Sequence, residues 1–138
     1  MHPLRPLHRL LQWFSPGYPT GAFSFSHGLE WAVEQGLVRD RAALQAWLED
    51  VLRHGAGWAD AVLLAHAHAA GGDPRRLALL TELGMALPAS AELLLETVMQ
   101  GDAFARTTAA VWPDVGAPPG DELPLPVAVG WAAARHRL

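Results

Sequence analysis

The sequence contains no cysteine, isoleucine, lysine or asparagine among its 138 residues. The absence of cysteine excludes disulfide bonds, thiolate metal ligands and a cysteine nucleophile. The formal net charge is −4, and the cations that do occur form no basic stripe of the kind that binds nucleic acid. We therefore expect no nucleic-acid partner.

Long apolar runs are also missing. No window approaches the roughly 20 apolar residues that a membrane-spanning helix needs. The apolar stretch within residues 1–16 is short and interrupted, unlike that of a signal peptide. We therefore expect no membrane partner and a cytoplasmic location.

The residues that are present favour helices. Hydrophobic residues make up 51% of the chain, and alanine and leucine dominate them. The few β-branched residues never alternate over the length of a strand. The predicted fold is all-α, a helical bundle of about seven helices without a sheet, formed as a single domain over residues 1–138. Residues 113–124 are rich in proline and glycine and are interpreted as a loop or disordered connector.

Helical spacing and capping signals define the individual helices. The predicted helices cover about residues 4–14, 24–35, 41–54, 57–70, 74–87, 88–112 and 126–137. Asp40 and Asp73 are predicted N-caps, and Gly36 is predicted to end the second helix at its C′ position. Two helices carry apolar stripes that we expect to face the core. These stripes comprise Leu7, Leu10, Leu11 and Phe14, and Leu44, Trp47, Leu48, Val51 and Leu52.

Two helices have too little polar surface for a position at the edge of a bundle. Residues 57–70 are apolar almost all round and are predicted to form a central helix buried on most sides. Residues 126–137 are rich in alanine and glycine, and no later segment of the sequence covers them. We expect a partner, or a missing portion of a longer chain, to cover Val127, Val129, Trp131 and Ala134.

Seven histidines in a chain without cysteine raise the possibility of a metal site. His66 and His68 are two residues apart on a predicted helix, so their side chains diverge by about 200° and cannot chelate one ion from one face. No His-Glu-x-x-His motif or similar ligand spacing is present. We therefore predict no metal site, and keep a small His-dependent metal-binding or hydrolytic protein as an alternative.

The segment "SPGYPTGAFSFSHGLEWAVEQG", residues 15–36, is the most distinctive stretch of the chain. Ser24 and Ser26 lack the strand and the G-x-S-x-G pattern of a nucleophile elbow, so a helix N-cap is the better interpretation for one of them. A phosphate-binding loop is excluded because no basic residue other than His27 lies nearby. Gly21 permits a backbone conformation that a larger residue would resist.

Tryptophan is abundant for a chain of this length, with six residues. Trp47 is best interpreted as core packing. Trp13, Trp31 and Trp58 are assigned to core edges or to interfaces, where large amphipathic rings are enriched. The sequence leaves open which of the three contact a partner.

Residues 15–36 resemble the N-terminal signature of the UreF family of urease accessory proteins, S-P-x-x-P-x-G-x-F-S-x-S-x-G-L-E-x-A-x-x-x-G. The matching residues are Ser15, Pro16, Pro19, Gly21, Phe23, Ser24, Ser26, Gly28, Leu29, Glu30, Ala32 and Gly36. A second match, S-x-E-x-R-x-E-T-x-x-x-G-x-x-x-x-R, runs through Ser90, Glu92, Glu96, Thr97, Gly101 and Arg106. "PVAVGWAA" is similar to a third family segment. Leu94 departs from the family's usual arginine, and the chain covers about the first 60% of the family's length.

The resemblance implies a role without catalysis. UreF-like proteins are helical and dimerise, and they couple the GTPase UreG to UreD (also called UreH) and apo-urease while nickel is inserted. Nickel would be the cargo, GTP would be bound by UreG, and no cofactor would be bound directly by this chain. A helical adaptor for a non-urease partner is a third interpretation.

The residues of the family motifs are the candidates for a partner surface. We expect His27 and Glu30, one turn apart on a helix, to be exposed to a partner. The candidates are Pro19, Gly21, Phe23, Ser24, Ser26, His27, Gly28, Glu30, Glu92, Glu96, Thr97 and Arg106.

Overall fold

The computed structural model describes residues 4–22, 26 and 28–138. Within these ranges it contains seven α-helices, one 3-10 turn and no strand, which confirms the all-α prediction. No helix of this described part combines the length and apolar character that crossing a bilayer requires. The helices are α1 (Leu4–Trp13), α2 (Leu29–Glu34), α3 (Arg41–His54), α4 (Ala56–Ala70), α5 (Pro74–Ala86), α6 (Ala91–Val111) and α7 (Leu125–His136), and the 3-10 turn is Pro113–Val115.

Helix α7 forms the centre of the fold. Helices α4, α5 and α6 all pack against it, and eight of its 12 residues are buried. The expectation that something outside the chain must cover this helix was wrong for Val127, Val129 and Trp131, which the preceding helices bury. Ala134 is half-buried. The small, apolar composition of α7 therefore reflects its position inside this bundle.

Two helical glycines allow close backbone approach around α7. A Cβ on Gly130 would collide with the carbonyl oxygen of Leu64 and lie 2.8 Å from the Cβ of Ala67, so α4 and α7 touch backbone to backbone. A Cβ on Gly101 of α6 would collide with the carbonyl oxygen of Leu123. These crossings explain why small residues recur on α4, α6 and α7.

Helices α3 and α4 are less buried than their sequences predict. No residue of α3 is fully buried, and Leu48 and Leu52 are exposed. In α4 only Leu63, Ala67 and Ala70 are buried, whereas Trp58 is 63% exposed. Among the described residues, α7 makes the most extensive contact with α4, while α3 and α5 contribute smaller ones of similar extent, so the apolar surface that they leave uncovered faces solvent.

Helix α1 is apolar on two sides, and the predicted core stripe was wrong for three of its four residues. Leu7, Leu11 and Phe14 are exposed, whereas Trp13 is buried and Leu10 packs beside it. The Trp13 ring meets Phe104 of α6 edge to face, with the centroids 5.2 Å apart. A large ring with a complementary partner therefore decides which side of α1 faces inward.

The second helix is shorter than predicted. Gly28 has φ +82°, a left-handed conformation that a helix cannot continue through, so α2 begins at Leu29 instead of near Ser24. The predicted serine cap is also wrong for Ser26, because its backbone carbonyl, and not its hydroxyl, accepts the N–H of Leu29. Ser24 lies outside the described residues. The prediction for Gly36 is confirmed: it adopts φ +68°, and Leu37 N–H donates to the carbonyl of Ala32 in a Schellman motif.

Most of the other helix boundaries follow local signals. Asp40 accepts the N–H of Ala43, and Asp73 accepts the N–H groups of Arg75 and Arg76, as predicted. Helix α6 begins three residues later than predicted because the hydroxyl of Ser90 caps it by accepting the N–H of Leu93. The segment 113–124 contains the 3-10 turn and ends with buried Leu123 and Pro124.

Candidate protein-interaction site

A corner in the chain follows α1 and spans residues 14–22. Its backbone folds back on itself, with Tyr18 N–H donating to the carbonyl of Ser15 and Thr20 N–H donating to that of Tyr18. The Ser15 hydroxyl donates to the carbonyl of Gln12 and ties the corner to the end of α1. Gly21 has φ +74°, which confirms the predicted need for glycine there. The corner thus begins the motif that resembles the UreF signature.

Tyr18 attaches this corner to the core. Its hydroxyl lies 2.7 Å from the Thr108 hydroxyl of α6 in a buried hydrogen bond, and its ring lies 5.4 Å from the Phe104 ring. Burial raises the pKa of Tyr18, and the hydrogen bond with Thr108 acts in the opposite direction. The phenol is therefore a neutral structural group at neutral pH.

Tyr18→Phe is expected to lower the free energy of unfolding by about 1 kcal/mol, because a buried neutral hydrogen bond contributes about that much. Urea denaturation measures the loss. Thr108→Val and the double variant complete a double-mutant cycle, in which the coupling between the two hydroxyls should be about 1 kcal/mol. Strictly additive single losses would show that the two hydroxyls do not stabilise the fold through each other.

A cleft of about 590 Å³ opens beneath the corner. Trp13, Tyr18 and Phe104 form its aromatic side, and residues of α4 and α7 such as Leu64 and Val129 form the other. This volume lies in the range of binding sites for small molecules or for a few large side chains. The cleft is predominantly apolar, with the polar groups Ser15, Thr20, Asp60 and Gln100 among its lining residues.

Asp60 is the single acidic residue among those that line the cleft, and no described basic residue lines it. Partial burial raises the pKa of its carboxyl group, and no described cation offsets that effect. A cationic side chain brought to this position would favour the carboxylate and lower the pKa again. The cleft can therefore accept an apolar segment, and its one carboxylate suits a neighbouring basic group.

The N-terminal motif residues lie on or near the surface where the structure describes them. Pro19, Gly21, Gly28 and Glu30 are exposed, and Glu30 lies in the first turn of α2. Ser26 is half-buried. The predictions for Phe23, Ser24 and His27 fall outside the described residues.

The motif residues on α6 divide into structural and exposed groups. The Thr97 hydroxyl accepts the N–H of Leu125 and so holds the start of α7, while half-buried Glu96 accepts a hydrogen bond from Gln100. Glu92 is exposed, and hydrogen bonds from its own backbone N–H and from Ser90 lower its pKa. Arg106 is also exposed.

The structure does not gather these motif residues into one site. Helix α2 has no extensive contact with α6 in the described part of the chain, so Glu30 and Arg106 belong to separate surfaces. Leu94, where the sequence departs from the family pattern, is half-buried on α6. The cleft instead draws on Trp13, Asp60 and Phe104, which sequence reasoning did not select as site residues.

The histidines of the alternative interpretation do not converge. His66 is exposed, and the Nε2 atom of His68 lies 3.0 Å from the carbonyl oxygen of Leu138. Across residues 4–22, 26 and 28–138, no group of three or more histidine, aspartate or glutamate side chains is arranged to hold a metal ion.

Comparison with known proteins identifies the family. A family model described as UreF matches residues 38–138. A urease accessory protein UreF from Methylobacterium sp. (strain 4-46) is 55% identical, over 94% of this chain and 54% of its own length. A protein of the same name from Cereibacter sphaeroides is 53% identical, over 94% of this chain and 58% of its own length. Another from Ruegeria pomeroyi is 49% identical, over 90% of this chain and 55% of its own length.

The fold is helical, and the matching relatives are all named as urease accessory proteins. The chain belongs to the UreF family. It spans a little more than half the length of the three relatives, between 54% and 58%.

Proposed function

We propose that this chain is a non-catalytic scaffold in the maturation of urease, needed for GTP-dependent assembly of the nickel metallocentre in the cytoplasm. It couples the GTPase UreG to UreD and apo-urease, and it acts as a homodimer. Nickel is the cargo of the assembly, and GTP is bound by UreG. The single observation that carries this proposal is membership of the UreF family, with 55% identity to a urease accessory protein over 94% of the chain.

The described surface supports a role in binding other proteins. Large apolar side chains are exposed on several helices, including Leu11, Trp31, Trp58 and Met99. Tryptophan and methionine are enriched in protein interfaces relative to the rest of the surface, so these side chains are suitable contacts for a partner. The motif residues Glu30, Glu92 and Arg106 provide exposed charged groups on more than one surface of the chain. We propose these exposed motif residues as partner contacts.

Co-purification tests the proposal directly. The tagged 138-residue chain is expressed with UreD and UreG, and both proteins are expected to be retained by it. Glu92→Lys should reduce retention because it reverses a charge on the exposed surface of α6. Asp121→Lys is the matched control, since it makes the same charge change at an exposed residue outside the motifs.

Reconstitution measures the function itself. Apo-urease, UreD, UreG, GTP and nickel are combined with and without this chain, and bound nickel is quantified. Nickel loading that is independent of the chain, together with no retention of UreD or UreG, would contradict the proposal. Stoichiometric Ni²⁺ binding by the chain alone, lost in a His66/His68 double substitution, would support the metal-binding alternative instead.

A further inference from the structure

An aromatic cluster joins the two ends of the described chain. The His136 ring near the end of α7 meets Trp13 of α1 and Trp112 edge to face, at centroid distances of 5.3 and 5.7 Å. Arg9 of α1 lies over the Trp112 ring, 4.9 Å from its centroid, and contacts the Nδ1 atom of His136. One imidazole therefore contributes to holding α1 at the ends of α6 and α7, beside the direct contacts of Trp13 with Phe104 and Trp112.

The partners of His136 determine its protonation state. A guanidinium group can only donate hydrogen bonds, so the Nδ1 atom that faces Arg9 must be an unprotonated acceptor. The neutral ring then carries its proton on Nε2, which is buried with no hydrogen-bond partner among the described residues. Protonation of Nδ1 would place a second cationic donor directly against Arg9. A hydrogen bond from Arg9 to Nδ1 therefore requires neutral His136.

The charged groups around His136 act in opposite directions. Burial lowers its pKa, and Arg9 lowers it further, while Asp114 of the 3-10 turn raises it. Trp13 of α1 and Trp112 supply uncharged rings. A histidine released from this cluster regains its ordinary pKa of about 6.5, so the released state binds a proton more readily than the bound state.

We infer that His136 is an acid-sensitive latch: protonation of its imidazole weakens the hold of α6 and α7 on α1 and opens the cleft that α1 borders. Release of α1 opens the cleft because Trp13 and Phe14, at the end of α1, form part of the cleft wall. The latch is closed when His136 is neutral and opens as the pH falls below about 6.5, where the released histidine takes up a proton.

Hydrogen exchange of the intact chain tests the latch between about pH 8 and pH 5, the range in which histidine changes charge. Protection factors, corrected for the intrinsic exchange rate at each pH, are compared for α1 and α4. In the wild type, α1 is expected to lose protection as the pH falls, by up to about tenfold for each pKa unit between the bound and released histidine. Helix α4 should retain its protection over the same range.

Two variants isolate the imidazole. His136→Gln keeps an acceptor for Arg9 but does not titrate, and His136→Phe keeps the aromatic packing without the acceptor. In both variants the protection of α1 should no longer depend on pH, with α1 better protected in His136→Gln. His8→Gln, which removes an exposed histidine of α1, is the matched control and should behave as the wild type.

Two results would overturn the latch. One is an unchanged loss of α1 protection with acid in His136→Gln, which would place the titrating group elsewhere. The other is an equal loss of protection in α1 and α4 of the wild type, which would indicate global unfolding instead of local release.

Discussion

Gly101→Ala is expected to lower the free energy of unfolding by about 3 kcal/mol, at the upper end of ordinary overpacking losses. In an isolated helix the same change would stabilise by about 1 kcal/mol, because alanine is the better helix former. Here the added Cβ would collide with the carbonyl oxygen of Leu123 and lie 2.9 Å from the Leu125 nitrogen. Both are backbone atoms, so no side-chain rotation relieves the collision.

Urea denaturation measures this loss, and Gly120→Ala is the matched control. A Cβ on Gly120 has no heavy atom within 4 Å, and its φ lies outside the left-handed region. The control should stay within about 0.5 kcal/mol of the wild type. Equal stability of the two variants would show that α6 and the start of α7 separate at little cost.

Phe104→Ala is expected to lower the free energy of unfolding by about 3–5 kcal/mol, the range for removing a large buried ring. Phe104 is 1% exposed and touches the rings of both Trp13 and Tyr18, so its loss leaves a cavity where α1, the corner and α6 meet. The tryptophan emission should also shift to the red, since Trp13 would gain access to water.

Leu95→Ala is the control for this second prediction because it lies on the same helix and is 60% exposed. Its stability should change by no more than about 0.5 kcal/mol. A comparable loss in both variants would mean that Phe104 does not hold α1 and the corner in place.

Signals that depend on neighbouring residues were predictable from the sequence. The caps at Asp40 and Asp73 and the left-handed glycine at Gly36 satisfy backbone groups within a few residues, so short patterns identify them. The predicted serine N-cap of α2 was wrong for Ser26, which shows where such short patterns stop being sufficient. The left-handed φ of Gly28 prevents the helix from extending before Leu29, and the spacing of apolar residues carries no information about that φ.

The direction in which a helix faces was much harder to predict. Helix α1 has apolar residues on both sides, and a long-range contact between Trp13 and Phe104 selects the buried one. Helix α4 is apolar almost all round, so its sequence does not specify which side α7 covers. Composition was therefore sufficient to predict an all-α fold, whereas contacts with residues distant in sequence determine which face of each helix is buried.

The cleft could not be predicted because it is assembled from distant parts of the chain. Trp13, Asp60 and Phe104 belong to three different helices, and only Trp13 was assigned from the sequence to a core edge or an interface. The motif residues, in contrast, stand out in sequence, yet Thr97 supports α7 from within. A family motif here marks structural and exposed positions alike.

The central position of α7 has a consequence for synthesis on the ribosome. Helices α4, α5 and α6 are made first, but the surface on which they pack consists of residues 125–136. Until those residues leave the exit tunnel, the earlier helices have no common core and expose apolar faces in the nascent chain. Packing of these helices around a common core must therefore wait until residues 125–136 have emerged from the ribosome.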